Sequence, residues 1–64
     1  MPQELYLLII IDPTTGARLD TDEDEMTADQ LDSFFANALE VQDNKFFGKI
    51  YRFGDGWYSY IEYV

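Results

Sequence analysis

Seven carboxylates fall within thirteen positions, Asp20 to Asp32, with no basic residue among them. Side chains of this type at this density could hold a hard cation. Asp20, Asp22 and Asp24 reproduce the alternating acids that open a calcium loop. The sixth position, however, holds Glu25 where glycine makes the sharp turn, and the twelfth holds Leu31 where a bidentate glutamate closes the site. The motif therefore fails as an EF-hand, and only weak, nonspecific attraction of divalent cations is left. Other reactive chemistry is equally short of parts. There is no histidine and no cysteine, so no side chain has an ordinary pKa near neutrality and no thiolate can hold a metal. Ser33 and Ser59 have no recognisable activating partner. Gly54 and Gly56 suit a turn better than a phosphate loop. Paired carboxylates would need a cleft that so short a chain hardly encloses. The residues argue against an enzyme and call for no cofactor and no metal.

The same acids can act as a surface. The net charge is −9, and residues 1–44 carry eleven acids against Arg18 alone. Such a field repels phosphate backbones and anionic membranes, which excludes direct nucleic-acid and membrane binding and favours a protein partner with a basic surface. Part of the run serves the chain locally: Asp24, Glu25 and Asp29 lie at the positive end of an expected helix. Glu40 and Asp43 would lie at its negative end and gain nothing there. At helical spacing, Asp29, Asp32, Glu40 and Asp43 share one solvent sector. Extended by Asp20, Asp22, Glu23, Asp24 and Glu25, they would form an acidic stripe resembling a row of phosphates.

These residues need elements to hold them. Thr27 followed by Gln30 is a capping box, flanked by Met26 and Leu31 as a hydrophobic staple. Leu31, Phe34, Phe35, Ala38 and Leu39 then make one apolar face, which predicts a helix over about 27–42. Leu5 to Ile11 is apolar throughout and ends at Asp12-Pro13, as in a strand covered on both faces. Residues 12–16 are turn chemistry, and Ala17 to Leu19 returns as a second strand. Phe46 to Phe53 and Trp57 to Val64 flank Gly54-Asp55-Gly56, a hairpin signal. That turn sets Phe53 opposite Tyr58, Tyr51 opposite Tyr60, Ile50 opposite Ile61 and Lys49 opposite Glu62. The reading is a single α+β domain over residues 1–64. Its order is ββαββ: a four-stranded antiparallel sheet, its first strand central, with one helix packed on one face.

One helix covers one face, yet both faces are apolar. With Leu5, Leu7, Ile9, Ile50, Trp57 and Ile61 turned to the helix, the other face shows Tyr6, Leu8, Tyr51, Phe53, Tyr58 and Tyr60. An exposed aromatic patch of that kind marks an interaction surface, for a target or for a second copy joined through the sheet. A chain of 64 residues buries only about 60% of its unfolded surface, and without disulfides association is the remedy most open to it. The seven-residue apolar run is too short to span a bilayer and follows Glu4 rather than basic residues, so a cytoplasmic location is expected.

In size, acidity and lack of catalytic residues the whole chain resembles small phage-encoded takeover proteins, such as anti-CRISPR proteins and DNA mimics. The resemblance rests on no motif. It implies an inhibitor or decoy that blocks a nucleic-acid-handling host protein in the host cytoplasm. The alternative is a non-catalytic accessory or self-associating subunit of a larger complex.

Overall fold

A computed structural model describes residues 4–63; Val64, expected at the end of the last strand, lies outside them. The chain is α+β, with one helix and one antiparallel sheet. The strands are β1 (Leu5–Asp12), β2 (Ala17–Thr21), β3 (Met26–Thr27), β4 (Glu40–Asn44), β5 (Gly48–Phe53) and β6 (Gly56–Tyr63), and the helix is α1 (Ala28–Phe35). Six strands thus replace the expected four. They run β2-β1-β6-β5-β4, with β3 beside β1. As its unbroken apolar run requires, β1 is internal, with β6 along one edge and β2 and β3 along the other.

The helix starts where its cap predicts. The Gln30 N–H donates to Thr27 Oγ1 (3.2 Å), and the Thr27 N–H donates to Gln30 Oε1 (2.9 Å). It ends at Phe35, with Ala36 as C-cap, and not near Gln42. Glu40 to Asn44 is instead strand β4, paired to β5 from Glu40–Arg52 to Asn44–Gly48. The apolar spacing through Ala38 and Leu39 is compatible with a helix. A vacant edge on β5 offers Val41 and its neighbours ladder hydrogen bonds, and Leu39 N–H already donates to the Arg52 carbonyl (2.7 Å). Tertiary pairing overrides local propensity here.

The last hairpin also departs from expectation. Phe53 pairs with Gly56, Arg52 with Trp57 and Tyr51 with Tyr58, two residues out of the expected register. The loop is Gly54-Asp55, Gly56 takes a φ of 143°, and the Tyr58 hydroxyl donates to Asp55 Oδ2 (2.8 Å). An even slip keeps every side chain on its face, so the two facial sets survive while the pairs change. Lys49 meets Asp43 (3.3 Å) and not Glu62, and Ile50 lies opposite Gln42 and not Ile61.

The helix packs on the opposite face to the one expected. Leu31 and Phe35 form a core with Leu8 and Tyr58, with Tyr6, Ile10, Met26, Phe34, Tyr51 and Phe53 around it. The Phe35 ring stacks on Tyr51 (3.8 Å between centroids), and Phe34 lies 4.7 Å from Phe53. Aromatic rings on the helix thus meet aromatic rings on the sheet, with gains beyond plain area burial.

Part of the second face is covered from within the chain. Ile9, Ile11 and Ile50 are at most 2% exposed there, with Phe47, Trp57 and Ile61 packed against them. The cover is the protein's own β4–β5 hairpin. Paired residues join β5 to β6 from Phe53 to Tyr51; earlier in the hairpin, Phe47 packs against the isoleucines. The hairpin tip meets the β1–β2 turn. Asn44 Nδ2 donates to the Pro13 carbonyl (3.0 Å), and the Phe46 ring lies so close to Gly16 that a Cβ there would sit 2.7 Å from it. Ser59, buried in the same layer, donates to the Lys49 carbonyl (3.4 Å). The sheet curls on itself and makes two cores, one under the helix and one under the hairpin.

Candidate functional site

An eight-residue helix spans about 12 Å, and an eight-residue strand about 27 Å. The helix therefore covers only part of the face on which it lies. The uncovered part is a cleft of about 550 Å³. Its floor is Leu8, Ile10 and Tyr58, its wall is Phe34, and one rim is the end of β2 and the loop after it.

Register explains how acids reach an apolar cleft. One row across the helix-side face runs Asp20, Ile10, Tyr58, Tyr51, Val41 on β2, β1, β6, β5 and β4. Asp20 is its polar end, opposite Ile10. Between Ile10 and Ile11 the register shifts, so that Ile11 pairs with Arg18. The bulge leaves Leu19 outside, 63% exposed, and holds Asp20 on the cleft side. The loop is tied down at Asp22, whose N–H donates to the Leu8 carbonyl (2.8 Å). Asp22 Oδ1 in turn accepts the Asp24 N–H (3.0 Å). Asp22, Glu23 and Asp24 thus stand along the rim with Asp20, and among the described residues no basic side chain lines the cleft.

The electrostatics reach the floor. The Tyr58 phenol is held above its ordinary value of 10.0, first by its hydrogen bond to Asp55, then by burial, then by the charges of Asp55 and Asp22. Asp22 is thus close enough for its field to act on the cleft's tyrosine.

The expected acidic stripe divides in two. Asp20, Asp22, Glu23, Asp24 and Glu25 are exposed in one stretch, continued by Asp29 and Asp32 on exposed positions of α1. Glu40 and Asp43 are not on the helix. They lie on β4 as cross-strand partners of Arg52 (3.5 Å) and Lys49 (3.3 Å). Their charges are therefore spent locally, at sites where exposed pairs contribute about 0–1 kcal/mol. Among the described residues no group of three or more acids is arranged to hold a metal ion.

The expected aromatic patch is the helix-side core. Leu8 and Tyr58 are buried, Tyr6, Tyr51 and Phe53 half-buried, and only Tyr60 is exposed. Tyr6, Tyr51 and Tyr60 do converge beside Asp32 at a second, smaller cleft of about 120 Å³ along the helix. Missing from the sequence-based expectation are Ile10 and Phe34. Both have apolar positions that mark them as core, and only the early end of the helix uncovers them. No local pattern gave that end away: Glu40, Gln42 and Asp43 surround a lone apolar Val41, and only the pairing with β5 makes them a strand.

Among the described residues no helix is long and apolar enough to cross a membrane. Comparison with family models, with curated proteins and with solved structures found no match to this chain.

Proposed function

We propose that the protein is a non-catalytic, protein-binding module whose contact surface is the acidic ridge from Asp20 to Asp32. Its target carries a basic surface, of the kind that handles nucleic acid, and the module acts as inhibitor or decoy by occupying it. The observation that carries this reading is the contrast between two sets of acids. Glu40 and Asp43 are matched by Arg52 and Lys49, whereas the ridge acids have no ion pair among the described residues. Seven like charges held close together cost self-repulsion, and a cationic partner relieves it. The lack of histidine and cysteine supports the non-catalytic part.

The test is binding to a captured target at rising ionic strength. Exposed charges are screened beyond about 8 Å at physiological salt, so affinity should fall steeply with salt, and reversing Asp29 and Asp32 to lysine should weaken it further. Affinity indifferent to both would sink the reading.

A second reading, an accessory or self-associating subunit, draws on a different place. Strand β4 ends the sheet with one edge unpaired, and beside it Leu39 and Val41 are 64% and 51% exposed. Exposed edges of this kind recruit further strands. On this reading Val41→Lys, and not charge reversal on the ridge, abolishes association.

A further inference from the structure

We infer that the cleft beside α1 is a peptide-docking site that takes an arginine flanked by an apolar residue, presented by a partner protein. This rests on the acidic-surface reading and narrows it to one place and one chemistry. The cleft, at about 550 Å³, falls in the size range of sites that enclose a ligand, about 300–1,000 Å³. It is far larger than a site for a bare ion.

Its two halves differ in kind. Ile10 and Phe34 offer apolar surface above the buried Leu8 and Tyr58; both remain half-buried only, since no described residue closes over them. Asp20, Asp22 and Asp24 stand over the same space, and among the described residues no cation lines it. An apolar ligand would strip water from these carboxylates without replacing it, at a cost of several kcal/mol for each charge so buried. A bare cation would leave the floor wet. Arginine satisfies both halves. Its methylene stem lies on apolar surface, its planar guanidinium bonds carboxylates in pairs, and its face stacks on aromatic rings such as Phe34 and Tyr58. The apolar neighbour in the peptide covers Ile10 and Phe34.

The experiment uses the whole chain and end-capped tripeptides Leu-Arg-Leu, Leu-Lys-Leu, Leu-citrulline-Leu and Ser-Arg-Ser, with affinities and shifted amides read by NMR titration. Leu-Arg-Leu should shift the amides of Leu8, Ile10, Phe34 and Tyr58 and bind best. Citrulline, the same shape without charge, should lose about tenfold, the worth of one charge-assisted contact. Ser-Arg-Ser should lose a similar factor. Asp22→Asn with Asp24→Asn keeps the Asp22 oxygen that accepts the Asp24 N–H and should cost about tenfold. Asp29→Asn with Asp32→Asn removes the same charge from elsewhere on the ridge and should cost under about threefold.

Equal losses from the two pairs overturn the cleft and leave the acidic ridge standing. Loss from neither pair overturns both. Equal binding of Leu-Arg-Leu and Ser-Arg-Ser, or competition by spermidine as strong as by the peptide, also overturns the cleft as a peptide site.

Discussion

Asp20 occupies a place in the helix-side row where a covered sheet would hold an apolar side chain, and the bulge at Ile10 and Ile11 keeps it there. Single residues elsewhere decide comparable things. Thr27 and Gln30 fix where the helix starts by a reciprocal pair of hydrogen bonds. Thr27→Ala removes one of them and should cost about 1 kcal/mol in urea denaturation. The phenols of Tyr6, Tyr51 and Tyr58 are all held above 10.0, Tyr6 chiefly by donating to Glu4, Tyr51 by burial and Tyr58 by donating to Asp55. A raised phenol holds its proton more tightly in the folded chain than in the unfolded one. Stabilisation from this source is complete below pH 10.0 and is lost as pH rises through the folded values. Denaturation followed from about pH 8 to 11 should show stability falling at the alkaline end. Tyr58→Phe, which has no phenol to ionise, should flatten that fall. The capping box was legible because all its parts lie within four consecutive residues. Asp20 was legible as an acid but not as a cleft residue, because its facing depends on a bulge between two strands.

At the scale of elements, the helix start was local and its end was not. Whether Glu40 to Asn44 continues a helix or forms β4 is decided by the free edge of β5, which no window on residues 36–44 contains. The last hairpin has the same character. Its two facial sets were readable from alternation, but a slip by two preserves alternation, so the pairs were not. The tip of the β4–β5 hairpin against the β1–β2 turn is the element-level contact most open to test. Gly16 has a φ of +78°, and an added Cβ would meet the Phe46 ring. Gly16→Ala should therefore destabilise by about 1–3 kcal/mol, from backbone strain and overpacking together. In a Phe46→Ala background the overpacking part should vanish, leaving a smaller loss. A double-mutant cycle in denaturant measures the difference.

For the whole molecule, the apolar content of both sheet faces was legible, and what covers them was not. Counting layers suggested that a second chain must shield one face. The Ile9, Ile11 and Ile50 core is shielded instead by a hairpin turning back on its own sheet. Alternation patterns do not record that the β4–β5 hairpin comes back to the β1–β2 turn. The choice of face for the helix was likewise outside the pattern, which sorts residues into two sets without saying which set α1 meets. With Ile9, Ile11 and Ile50 covered from within, a second copy is not needed to shield them. Sedimentation of the purified chain should accordingly give the monomer mass of 7.5 kDa, and a salt-resistant dimer would point to the β4 edge. Ile9→Ala should cost about 2–5 kcal/mol, a large share of the stability of a domain this small, and should show as a partly unfolded population at room temperature.

Strand β1 lies between β2, its immediate successor, and β6, with Leu5 opposite Tyr63 and Ile11 opposite Trp57. During synthesis, β1 must wait for β6 before its second edge is filled. A nascent chain halted anywhere before Trp57 exposes that greasy edge and neither core. Productive folding of this sheet therefore waits for β6, and any fragment cut short of that strand is a substrate for chaperones and proteases rather than a smaller working version of the domain.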